Sequence, residues 1–226
     1  MIRIRRSVRS LAVAVAALAT IGAGIALAGT YMGPSSSQDP YAVPTLPGAS
    51  TTAILTVGDS VNAKPDGTPY RLVGLPDGLG AFEDECDRGT FTLLMNHELG
   101  NTDGIVRAHG AKGAFVSKWT IRKRDLRVLH GEDLVQEIGV WTGSTWDYAT
   151  TVTMNRLCSA DLPAKSAFWN KRTRRGFDGR LFMSGEESGA EGQAFAHGME
   201  GTSWRLPWLG RFSWENCVAH PDTNDT

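Results

Sequence analysis

Short apolar runs, broken by glycine- and proline-rich turns, set the pattern of this chain. Residues 51–57 (TTAILTV), 70–75, 90–94, 114–121, 127–130, 150–157 and 180–183 each gather a few β-branched, aliphatic or aromatic side chains. Such runs read as short strands. Pro65-Asp66-Gly67 and the stretch from Pro76 to Gly80 (PDGLG) read as sharp turns between them. Residues 82–89, with Glu83, Asp84, Glu85 and Asp87, read as a solvated hairpin tip. A helical turn is expected within residues 159–170, where Ser159 and Asp161 can cap it. No run sustains a 3.6-residue period, and no strict internal repeat stands out. The expected class is all-β.

Residues 1–28 lie outside this pattern. Arg3, Arg5, Arg6 and Arg9 precede an apolar run of small residues that ends in Ala26-Leu27-Ala28. That is the form of an export signal cleaved before Gly29, which places the mature protein in the periplasm or outside the cell. The run is also long enough to serve as an uncleaved anchor. Residues 29–50, with Pro34, Pro40, Pro44 and Pro47, are expected to be an extended linker. Residues 51–226 are expected to hold the fold.

The leader changes the charge balance. Of 23 basic and 24 acidic residues, four arginines and no acids fall in residues 1–28, which leaves 19 against 24 and a net charge of −5. A nucleic-acid partner would need a basic face, so that class is set aside. Trp141 and Trp146 are accordingly read as packing rather than as a base-stacking platform. An exported chain with Cys86, Cys158 and Cys217 can pair two of its thiols and leave one as a free thiol or a ligand.

The candidate chemistry sits where strands give way to acids. Residues 93–98 run Leu-Leu-Met-Asn-His-Glu, and residues 181–187 run Leu-Phe-Met-Ser-Gly-Glu-Glu. Glu215 follows Trp214 in the same manner. Strands radiating from one axis, as in a propeller, would bring Glu98, Glu186, Glu187 and Glu215 together. Gathered carboxylates are unfavourable unless cations or shared protons neutralise them. Hard oxygen ligands suit Ca²⁺, and a thiolate from Cys158 would favour a transition metal such as iron.

Four stretches, LLMNHELGNTDGIVRAHGAKGAFVSKW, NRLCSADLP, LFMSGEESGAEGQAFAH and LPWLGRFSWEN, together resemble an exported bacterial branch of the PhoX-type alkaline phosphatases, over about residues 70–216. The resemblance implies a β-propeller that hydrolyses phosphomonoesters with calcium and iron. It matches the family's Asn-His-Glu with Asn96, His97 and Glu98, and its Cys with Cys158. It also matches the family's Cys-Glu-Glu with Gly185, Glu186 and Glu187, where Gly185 stands in place of Cys. The implied metal ligands are Glu98, Cys158, Glu186 and Glu187. Arg107 and Arg156 are the candidate phosphate contacts. The family is about twice as long, so the expectation is a partial β-propeller, with the C-terminal half missing or replaced by self-association, and weak or no activity alone. Two readings follow: a metal-dependent phosphoric monoester hydrolase in part, or a non-catalytic exported calcium-binding propeller segment. A non-functional remnant is the third.

Overall fold

The computed structural model describes residues 28–221, and the export signal read over residues 1–28 lies outside them but for Ala28. In chain order the strands are β1 (Gly29–Met32), β2 (Ser50–Ala53), β3 (Ser60–Ala63), β4 (Pro69–Arg71), β5 (Pro76–Glu83), β6 (Thr90–His97), β7 (Phe115–Arg122) and β8 (Val128–Asp133). They continue as β9 (Glu137–Trp141), β10 (Trp146–Asp147), β11 (Leu157–Asp161), β12 (Trp169–Asn170), β13 (Arg175–Gly176), β14 (Leu181–Glu186), β15 (Ala194–Gly198) and β16 (Thr202–Arg205). The only helical elements among the described residues are three short 3-10 turns, one of them at Lys165–Ala167, inside the segment where a helical turn is expected. The chain is all-β.

Two sheets carry the structure. The first is an antiparallel meander, β5-β6-β7-β8. The second has the order β10-β9-β16-β15-β14-β11, antiparallel throughout except for the parallel pair β9–β16. Both are open, and their edge strands β5 and β11 pack against each other. Period-2 alternation decides what each face meets. On β6, Leu94 points into the main core with Val116, Met154, Leu157, Phe182 and Phe195, which lies between the sheets. Phe91, Leu93 and Met95 point the other way, toward Tyr70, Leu72 and Trp119. Side chains of this kind contribute about 1.5–3 kcal/mol each on full burial, so these two clusters hold the sheets together.

Three differences from the sequence pattern have physical reasons. The stretch from Pro76 to Gly80 is not a turn; it opens β5. Pro76 is tolerated because it is the first residue of an edge strand, where its missing N–H removes no ladder bond. A side chain at Gly78 would come within 2.6 Å of Ala160 Cβ and 2.7 Å of Cys158 O, so glycine lets the two edge strands meet. Residues 150–156 look strand-like yet make only isolated bridges, from Met154 to Gly113 and Ala114, and the strand proper starts at Leu157. Residues 29–50, expected as a free linker, are stitched to the fold. β1 pairs in parallel with β2, the Val128 N–H donates to Ser35 Oγ at 3.1 Å, and Ser36 Oγ lies 2.7 Å from Thr56 Oγ1.

Candidate metal centre

The end of the first sheet where β5 begins and β6 finishes carries Asp77 and Glu98, because Pro76 pairs with His97 across the ladder. The end of the second sheet where β11 begins and β14 finishes carries Cys158 and Glu187, because Leu157 pairs with Glu186. The packing of β5 on β11 puts these ends side by side. Backbone bonds lock the join: the Glu98 N–H donates to Leu75 O (3.0 Å), Arg156 N–H to Leu99 O (2.8 Å), Glu187 N–H to Arg156 O (2.9 Å) and Trp214 N–H to Glu186 O (2.9 Å). Leu75 and Arg156 both hold positive φ, at 50° and 51°, a region that branched and long side chains enter only when their surroundings enforce it.

Single ligand atoms from Cys158, Glu187 and Glu215 lie within 4.8 Å of one another. Cys158 is buried, with its Sγ 3.1 Å from Trp214 O and 3.4 Å from Glu215 O. Burial, and then the neighbouring acids Glu215, Glu187 and Asp77, push its thiol above the ordinary cysteine range. Asp77 joins the group from the first sheet. Burial pushes its carboxyl up, and Glu98 and Glu215 push it further. Arg156 closes the cluster. Its Nε (2.9 Å) and Nη2 (2.7 Å) both donate to Glu98 Oε1, and Nη2 also donates to Glu187 Oε2 at 2.8 Å. Ser159 Oγ donates to Glu215 Oε1 at 3.3 Å.

The structure therefore brings Glu98, Cys158, Glu187 and Arg156 together, and sets the other expected residues elsewhere. Glu186 is buried and outside the group. Its Oε1 accepts the Asn155 N–H (2.8 Å) and its Oε2 the Gln193 N–H (3.0 Å), so each oxygen already holds a loop in place. Consecutive side chains of an extended chain leave on opposite sides, which is why Glu187 reaches the cluster and Glu186 does not. Arg107 also lies apart. Its guanidinium sits 3.5 Å over the Phe115 ring and 3.4 Å from Asp133 Oδ1, on a cleft of about 750 Å³ that none of the cluster residues lines.

Within Asn96-His97-Glu98 the same alternation separates the roles. Asn96 faces the second sheet and donates to Cys158 O at 2.7 Å, while Ser184 Oγ donates to its Oδ1 at 3.0 Å. It fixes the backbone of Cys158. His97 turns the other way, stacked on Phe115 at 4.1 Å and 2.8 Å from Ser117 Oγ. Burial, then the charge of Arg107, lowers its pKa to about 4, so it is neutral at physiological pH. Asp77 is the member that sequence reasoning missed: it hides in a proline-glycine stretch, and its only signal was an acid directly before the glycines. Cys86, Cys158 and Cys217 are all unpaired, so Cys158 is a free thiol.

The donor set fits a cation. Cys158, Glu187 and Glu215 offer a thiol and two carboxylates within reach of one ion, and Asp77 and Glu98 lie beside them; oxygens suit a hard ion and the sulfur a softer one. No protein-family model matches the chain, and neither a curated protein nor a solved structure is significantly similar to it.

Proposed function

We propose that this chain is an exported, PhoX-like metal-binding protein, corresponding to the N-terminal part of a phosphoric monoester hydrolase. The observation that carries the reading is the convergence of Asp77, Glu98, Cys158 and Glu187 from two sheets, and of Glu215 from the loop after β16, onto one end of the fold. In this reading the sheets are two neighbouring blades of a partial propeller, with β5 and β11 as their inner strands. Cys158, Glu187 and Glu215 would hold iron, and Asp77 and Glu98 would supply oxygens toward calcium. Bound there, such ions act as Lewis acids on phosphoryl oxygens. The chain's own contribution is positioning: Asn96 holds the Cys158 backbone, Glu186 holds the loops at Asn155 and Gln193, and Arg156 offers a guanidinium edge shaped for a phosphomonoester.

One observation favours the non-catalytic calcium-binding reading. Arg156 is committed to Glu98 and Glu187, so the guanidinium is not free for phosphate in this arrangement. One experiment separates the readings. The purified exported protein is analysed for bound metal, then assayed with p-nitrophenyl phosphate in Ca²⁺ and Fe³⁺. Iron with calcium, the iron lost on Glu187→Gln, and weak or no hydrolysis by this chain alone is the outcome expected of the partial hydrolase. Calcium alone without hydrolysis selects the binding module, and absence of any bound cation would overturn both.

A further inference from the structure

Arg156 occupies the acidic cluster in the way a bound cation would. One guanidinium spans carboxylates from both sheets, Glu98 at the end of β6 and Glu187 beyond β14. Its own backbone is the hinge between them, donating to Leu99 O and accepting from the Glu187 N–H, with φ at 51°. Arg156 is ion-paired with Glu98 and Glu187, and these two carboxylates in turn lie near Asp77 and Glu215. The side chain is 48% exposed, so water is at hand to solvate it once it leaves. An exposed ion pair of this kind is held weakly, and its two charges are easily exchanged for others.

A divalent ion and the guanidinium compete for the same carboxylate. The Glu187 oxygen that Nη2 holds belongs to the same carboxylate that reaches Cys158 and Glu215. An ion placed among those three groups would also repel a positive charge a few ångströms away, in a site partly shielded from water. We propose that Arg156 is an internal counter-cation: it neutralises the cluster in the cation-free protein, and a divalent cation taken by Cys158, Glu187 and Glu215 displaces it from Glu187. The released guanidinium then faces the occupied site and is available to an anionic ligand such as a phosphate group. Cation binding and anion binding become ordered by one side chain. This rests on the reading of the cluster as a metal site.

The test is a Co²⁺ titration of the whole exported chain, followed by the near-ultraviolet thiolate-to-cobalt band, with Cys158→Ala as the blank. Arg156→Asn removes the charge and keeps a residue that tolerates positive φ, so the hinge is not strained. Removing a competing positive charge raises affinity for another cation, so Arg156→Asn should bind Co²⁺ about tenfold more tightly. It should also melt lower than the native chain without cation and show the larger thermal gain with it. Arg156→Lys keeps the charge and should stay within about threefold of native affinity. A native chain that shows no band beside an Arg156→Asn chain that does would support the proposal most strongly. Native binding with an Arg156→Asn affinity equal to or weaker than native overturns it and leaves the metal reading standing. No band and no retention of Co²⁺ in equilibrium dialysis by either chain removes the metal reading, and the proposal with it.

Discussion

Glu186 and Glu187 are neighbours with opposite tasks, and single substitutions should tell them apart. Glu186 is buried and accepts two main-chain N–H groups. Glu186→Ala leaves both donors without a partner, a loss of about 2–4 kcal/mol of stability that denaturant unfolding would register. Glu187→Gln should change stability by under about 1 kcal/mol, because its ion pair is largely exposed, yet weaken Co²⁺ binding at least tenfold. Equal loss of cation binding and equal destabilisation in the two variants would contradict the division. At Gly185 there is no room for a cysteine side chain. A side chain at Gly185 would collide with Trp214 Cβ and come within 3.2 Å of Trp214 Cγ. The tryptophan fills the space that a cysteine would need. Gly185→Cys should therefore cost roughly 1–3 kcal/mol through overpacking and shift Trp214 fluorescence; native stability and an unshifted spectrum would show that the pocket gives way.

At the scale of elements, the site depends on one strand-to-strand contact. β5 carries Gly78 against Ala160 and Cys158, and Gly80 against Leu162 and Phe182. Neither glycine has positive φ, so both are there for closeness rather than for a turn. Gly78→Ala meets backbone atoms that cannot move aside cheaply. It should cost roughly 3 kcal/mol and weaken the Cys158 cobalt band, since it pushes β11 away from β5. Gly74→Ala is the control: nothing lies within 4 Å of its side-chain position, so it should be neutral or stabilise by about 0.5 kcal/mol. Identical chemical-denaturation curves for the two variants would rule out a close-packed β5–β11 join. β6 and β7 were legible because each alternates β-branched and aromatic residues against a partner with a clear pattern. β5 was not legible, because close approach calls for the same proline and glycine residues that mark turns.

Across the whole molecule, buried histidines contribute to the response to acid. His197 is fully buried beside Phe182 and Phe195, with Nδ1 2.8 Å from Ser203 Oγ. Burial first, and the nearby His109 second, hold its pKa at about 3 against 6.5 in the unfolded chain. The folded state thus disfavours the proton that the unfolded state takes up. Its contribution is fully present above pH 6.5, falls as pH drops below that value, and levels off below about 3. His197→Gln keeps a partner for Ser203 and should flatten the pH dependence of stability between pH 6 and 4, by at most about 1.4 kcal/mol per pH unit. Parallel slopes for the native and variant chains, from urea unfolding across that range, would mean that His197 already carries its proton when folded.

The linear pattern by itself determined the all-β class, the positions of β6, β7, β8 and β14, and the rule that acids follow strand ends. These are local properties, since alternation and turn chemistry act between residues close in sequence. Which acids meet was decided only by tertiary packing. Asp77, Glu98, Cys158, Glu187 and Glu215 are scattered over the chain and are joined because β5 lies on β11. The parity of an extended strand then sends Glu187 into the cluster and Glu186 into the loops behind it, and turns His97 away from Glu98. Arg107 and Arg156 part for a different reason, since both sit in loops. A loop can deliver an arginine to any neighbouring surface, and the partner it finds, Asp133 for one and Glu98 with Glu187 for the other, depends on contacts between residues 26 to 58 positions apart.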